Sequence, residues 1–165
     1  MRLLTALLLA IFFSCNISPK EHHNQTSHPR SIIQDTIEIN KIKKVLIDQR
    51  NYWNNGDING FMQGYWNSES LVFTSANHKP EYGWENTLKR YKNSYPDRYS
   101  MGKFRFEILD LKLISEDKAK LKGEWELIRI KDNPKGLFWL DLEKFDNNWL
   151  ITKDSTIAFE IHNPL

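Results

Sequence analysis

Cysteine occurs once in the 165 residues, at Cys15, so no disulfide can form within the chain and redox stapling is excluded as a source of stability. Histidine is sparse as well, with five in all, and no HExxH pattern or other zinc-ligand spacing is present. GxSxG and GxxxxGK are absent, which removes the nucleophile-elbow hydrolases and the P-loop nucleotide binders. An excess of one charge is also lacking. Twenty-three Lys and Arg stand against 21 Asp and Glu, a formal net charge of +2 with no clustered basic face, so nucleic acid is not an expected partner. Lys118, Lys120 and Lys122 do alternate, but Glu124 and Glu126 continue the same row, the pattern of a solvated strand face. No metal and no cofactor are expected.

Long apolar runs are missing with one exception at the N-terminus. Arg2 is followed by Leu3 to Phe13 and then by Ser14-Cys15. That run is too short to span a bilayer comfortably and reads as a secretory signal. A cysteine placed directly after it resembles the lipobox of bacterial lipoproteins, in which the thiol receives a diacylglycerol. The alternative is an ordinary signal peptide with an incidental cysteine. Residues 1–15 are therefore assigned to a lipoprotein-type signal ending at Cys15, and the protein is expected to be exported to a bacterial cell envelope. Its only membrane contact would be through the lipid. Residues 16–34 are polar, contain His22, His23 and His28 with Pro19 and Pro29, and cannot bury enough apolar surface to order themselves. They read as a flexible tether. Residues 35–165 are long enough for one core and one site.

Aromatic residues are what this chain has in excess, at 13%. From Asp35, expected to form a capping box with Glu38, the residues Ile39, Ile42, Leu46 and Trp53 recur at helical spacing, with Val45 and Tyr52 widening the stripe and Gln49 interrupting it. Asn55-Gly56 ends that helix and Asp57 caps the next, which carries Ile58, Phe61, Met62, Tyr65 and Trp66 on one face. Leu71 to Thr74 reads as a strand, Ser75 to Tyr82 as a loop, and Trp84, Leu88, Tyr91 and Tyr95 as the inner face of a third helix stopped by Pro96. From Phe104 the period falls to 2. Phe104–Ile114, Lys118–Ile130, Leu137–Phe145 and Trp149–Phe159 are four strands joined by short polar turns, hence antiparallel hairpins. In the second of them Ala119, Leu121, Gly123, Trp125 and Leu127 share the buried face. Helices first and a meander last describe an α+β domain whose sheet wraps around the helices.

The ordered series Trp53-Asn54-Asn55-Gly56-Asp57, Phe61-Met62, Tyr65-Trp66, Gly83-Trp84, Arg90-Tyr91, Gly123-Glu124-Trp125, Gly136, Trp149 and Asp154 resembles the SnoaL-like branch of the nuclear transport factor 2-like superfamily. The resemblance implies a cone: a curved antiparallel sheet packed on N-terminal helices, with a pocket between them and sheet-to-sheet homodimers in many relatives. It also exposes a departure. Relatives commonly close with Asp-His-Thr-Ser, whereas this chain reads Asp154-Ser155-Thr156-Ile157, and His78 and His162 are not placed in the pocket by anything in the sequence.

Two classes of function stay open, because one scaffold hosts many activities. In the first, Trp53, Tyr65, Trp66, Trp84, Tyr91 and Trp125 line a pocket for a small apolar or aromatic molecule; the same rings can equally fill a core. In the second, Asp154 is the base of an isomerase, dehydratase or hydrolase with Tyr65 or Tyr91 as hydrogen-bond donor, or else it makes a structural hydrogen bond. A protein–protein interaction domain is the third reading.

Overall fold

The computed structural model describes residues 31–76 and 78–159. The signal-like run with Cys15, most of the tether and His162 lie outside the described residues. Helix α1 spans Ile32–Asn54, and Ser31 caps it, its hydroxyl accepting the Gln34 N–H at 3.2 Å. The helix therefore starts ahead of the boundary expected at Asp35. A serine at the N-cap satisfies an amide that the first turn would otherwise leave unpaired, which turns Ile32 to Gln34 from tether into helix. Glu38 does not close a capping box. It is buried on the inner stripe with Ile42, Leu46, Gln49 and Trp53, while Tyr52, expected to widen that stripe, is exposed.

The end of α1 follows the sequence closely. Gly56 adopts φ +82°, a left-handed conformation that disfavours other residues, and the Asp57 carboxylate accepts the Gly60 N–H at 2.7 Å to start α2 (Ile58–Phe61). A 3₁₀ turn at Met62–Gly64 then ends the helical run. Next come β1 (Val72–Ser75), β2 (Glu81–Tyr82), α3 (Trp84–Ser94), α4 (Arg98–Met101), β3 (Lys103–Leu113), β4 (Lys118–Ile128), β5 (Lys135–Phe145) and β6 (Asn148–Ala158). Two of these are additions to the sequence reading. The loop after β1 ends in β2, and Asp97 with Ser100 forms a capping box that starts α4.

The six strands form one sheet in the order β2-β1-β6-β5-β4-β3. The meander β3 to β6 is antiparallel as the short turns require, and Asp146 and Asn147, at φ 48° and 66°, make the left-handed pair of a tight hairpin turn between β5 and β6. One pairing departs from an all-antiparallel sheet: β1 lies parallel to β6. Register shifts at Ile108/Asp110 and Asp141/Leu142 each insert an extra residue, and such bulges bend and twist a sheet toward the helices.

Ala119, Leu121 and Leu127 are buried as their alternation demands, facing Phe138, Leu140, Leu142 and Ile151, with Ile42, Leu46, Phe61, Met62 and Leu71 above them. Each of the Leu, Ile, Phe and Met side chains contributes about 1.5–3 kcal/mol on burial. Gly123 sits where a Cβ would meet the Phe138 ring at 2.4 Å and the Glu107 carbonyl at 2.5 Å, so the sheet closes over its inner face only with glycine there. The outcome is an α+β domain with a curved sheet and helices along its concave side.

Candidate functional site

Between the sheet's concave side and helices α1, α2 and α3 lies a cavity of about 350 Å³. Its walls are mainly rings. Trp53 is the hub: it meets Phe61 at 5.1 Å, Tyr95 at 4.8 Å and Phe104 at 5.9 Å between centroids, and its indole N–H donates to the Met101 carbonyl at 3.2 Å. Phe61 and Phe73 in turn pack edge-on against Tyr91, at 5.0 and 5.7 Å. T-shaped pairs of this kind hold ring positions firmly, each adding about 0.5–1.5 kcal/mol beyond area burial. Trp125 and Phe106, neighbours across the β3–β4 pair, complete one wall.

A buried carboxyl lines the cavity: Asp154, on β6 between Leu140 of β5 and Phe73 of β1. It is 6% exposed. The Tyr65 hydroxyl donates to Asp154 Oδ2 at 2.7 Å, and the Tyr65 and Tyr91 hydroxyls lie 3.2 Å apart. Asp154 Oδ1 is buried with no hydrogen-bond partner among the described residues. Burial pushes the Asp154 carboxyl up to about 7, against the smaller opposing pull of the Tyr65 hydrogen bond. Burial, then the adjacent carboxyl, pushes the Tyr65 and Tyr91 phenols well above their usual range, so both stay protonated and able to donate. The set is an acid near its titration midpoint at neutral pH, two permanent hydroxyl donors, and apolar walls.

The sequence-predicted residues divide by the local backbone. Tyr65 and Trp66 share one helical face only if the helix continues, but the 3₁₀ turn ends at Gly64 and Tyr65 bridges to Ile151 of β6 in extended conformation. Successive extended residues point to opposite sides. Tyr65 enters the cavity, and Trp66 turns away to stack on Phe145 at 5.0 Å with its plane tilted by 10°. Trp84, at the start of α3, donates its indole N–H to the Met62 carbonyl at 3.0 Å and pins α3 to the 3₁₀ turn; it does not line the cavity. Trp53, Tyr65, Tyr91, Trp125 and Asp154 all do.

Other lining residues escaped the sequence reading. Gln49, which interrupts the apolar stripe, donates to the Phe61 carbonyl at 3.1 Å and lines the cavity. His78, Ser75, Arg90 and Ser94 form the rim on the side of the exposed residues Ala76 and Ala158. Arg90 and Ser94 were findable: counted from Thr87, the fully buried residue of α3, they fall three and seven positions on, beside Tyr91 at four. His78 was not, because the loop that carries it has no period. Among the described residues no group of His, Cys, Asp and Glu converges as a metal site.

A curved sheet closed by N-terminal helices around an aromatic-walled cavity defines a cone-fold protein. No family model and no curated protein matches the chain. Among solved structures it is similar to an NTF-2-like protein of unknown function from Shewanella oneidensis MR-1, 42% identical, over 72% of this chain and 98% of that one, with a TM-score of 0.69. A ketosteroid isomerase-like protein from Erwinia carotovora atroseptica shares the fold at 16% identity, over 74% and 97%, with a TM-score of 0.61. So does hexachlorocyclohexane dehydrochlorinase LinA-type3 from Novosphingobium barchaimii, at 15%, over 79% and 92%, with a TM-score of 0.63. The chain belongs to the NTF-2-like family.

Proposed function

We propose that this protein holds a small, mainly apolar or aromatic molecule in the cone cavity, with Asp154 and Tyr65 fixing the orientation of one polar group. The observation that carries the reading is the unpartnered Asp154 Oδ1 beside an aromatic-walled cavity of about 350 Å³. A buried polar oxygen without a partner costs roughly 1–3 kcal/mol, a cost that a ligand hydroxyl would remove. The volume is that of a small-molecule site. The run Leu3–Phe13 with Cys15 supports the further proposal that the domain works outside the cytoplasm, tethered by a lipid.

The reading is tested with the full chain against estradiol, emodin, farnesol and 2-naphthol, following thermal unfolding and tryptophan fluorescence. Binding at 100 times Kd adds about 2.7 kcal/mol to stability, so a binder from at least one class raises Tm by several degrees and perturbs the emission of Trp53 and Trp125. No response to any of the four overturns the reading.

A second reading, proton-transfer catalysis, is favoured by one observation: the Asp154 carboxyl is pushed up to about 7, where a general base works best, with the Tyr65 hydroxyl donating to it and the Tyr91 hydroxyl next in line behind Tyr65. Asp154→Asn separates the readings. An enzyme keeps its ligand and loses turnover, while a binder loses only the affinity contributed by the carboxyl.

A further inference from the structure

We infer that the cavity selects molecules bearing a carboxylate or similar anion, which seats against Arg90 at the rim while the apolar body lies among the rings and a hydroxyl reaches Asp154. This rests on the cavity being a binding site and adds the class of ligand.

Arg90 differs from the arginines that hold the fold together. Arg98 donates to the Trp53 and Asn54 carbonyls, and Arg129 pairs with Asp132 and donates to the Ser100 carbonyl. Both are consumed by the structure. The Arg90 guanidinium is 5.0 Å from the centre of the Phe73 ring and donates once, from Nη2 to Ser75 Oγ at 2.9 Å. Among the described residues no carboxylate pairs with it. Glu81 shares a shallow surface depression with Arg90 but forms no ion pair with it. Stacking on Phe73 and the Ser75 bond fix the guanidinium plane and leave its remaining N–H groups for a planar, bidentate acceptor. The group is half-buried at the rim of an apolar cavity, where an ion pair is screened less than on open surface.

The strand register sets the spacing. Phe73 pairs with Asp154 and Ser75 with Thr156, so Ser75 is diagonal to Asp154, one same-face step of about 6.6 Å along the strands and one strand spacing of about 4.8 Å across, roughly 8 Å in all, toward the exposed Ala76 and Ala158. Arg90 holds the outer end of that step through Ser75, and Asp154 with Tyr65 holds the inner end. A flat molecule with a hydroxyl at one end and a carboxylate at the other spans it.

The test compares 6-hydroxy-2-naphthoate, its neutral amide and 2-naphthol by fluorescence titration of the full chain at neutral pH and low salt. The acid is expected to bind about tenfold or more tighter than the amide, an advantage that shrinks as salt rises. Arg90→Gln is expected to weaken the acid about tenfold, far more than it weakens the amide, and Arg90→Lys retains part of the advantage. Equal binding of acid and amide to the wild type overturns the inference, as does an Arg90→Gln variant that weakens acid and amide alike, which would make Arg90 a wall residue. Binding of 2-naphthol in that case leaves the cavity reading standing, whereas failure of all three probes overturns the inference and leaves the cavity reading to the four-compound panel. If Arg90→Gln does not fold, the acid-to-amide ratio and its salt dependence in the wild type decide.

Discussion

Glu38 and Asp154 are both buried carboxyl groups served by β6 or its immediate neighbours, and their surroundings are opposite. Glu38 is ringed by donors: Lys144 Nζ at 2.9 Å, Lys41 Nζ at 3.1 Å and the Trp149 indole N–H at 2.7 Å. Burial alone would raise its pKa, but the hydrogen bonds from Lys144, Trp149 and Lys41 overturn that and bring it down to about 2. Among the described residues Asp154 has one neutral donor, Tyr65, and no cation, so burial wins and the carboxyl rises to about 7. The first arrangement clamps α1 to the β5–β6 hairpin. The second leaves an oxygen unpaired next to a cavity. A fold that satisfies one buried acid completely beside Trp149 of β6, and leaves another incomplete at Asp154 five residues further along that strand, locates its site by the contrast.

The largest effect expected from breaking this contrast is on pH dependence. An acid whose folded pKa is raised contributes stability that is fully present below its unfolded value and is lost as pH rises to the folded one. For Asp154 that window runs from about 3.8 to about 7. Three units correspond to about 4 kcal/mol. Asp154→Asn, which keeps an acceptor for Tyr65, is expected to gain about that much relative to wild type between pH 4 and pH 8, measured by urea unfolding at both pH values. A gap that does not widen would show that Asp154 is not isolated.

Glu38 has the opposite sign. Its pKa is depressed, so its contribution is present above about 4.5 and lost as pH falls toward about 2. Glu38→Ala strands Lys144 and the Trp149 N–H, and is expected to cost about 3 kcal/mol at neutral pH. Solvent screening around the two lysines keeps this below the figure for a deeply buried pair. Chemical denaturation measures it, and ligand affinity should not change. A loss under about 1 kcal/mol would make the cluster a surface ion pair in energetic terms.

The smallest effect separates the cavity wall from its outside. Trp66→Leu removes the stacking on Phe145 and is expected to cost about 1 kcal/mol, with no change in the binding of any probe that responds to Trp53 or Trp125. A loss of probe binding in that variant would mean that Trp66 reaches the ligand after all.

Much of this was legible in local pattern. The 3.6-residue stripe of α1, the Gly56 break, the Asp57 cap and the alternation of β4 each depend on a few consecutive residues, and each is where the spacing put it. The errors share one cause. Glu38 looked like a cap and Trp66 like a pocket residue because their partners, Trp149 and Ile151, are more than eighty positions away in sequence and dictate side-chain direction only once β6 is docked. β1 joins the sheet parallel to β6 for the same reason; nothing near Val72–Ser75 encodes it.

The sequence by itself determined the elements, the faces they bury and the ring residues available to a site, because periodicity, capping and turn chemistry act over about a turn of helix or a few residues of strand. Only the tertiary structure decided which acid is satisfied and which is not, which rings meet around a cavity, and that Arg90 stands at its rim with no carboxylate partner among the described residues. Those depend on strand register and on distance through space, and a carboxyl's pKa follows from what surrounds it rather than from its neighbours along the chain.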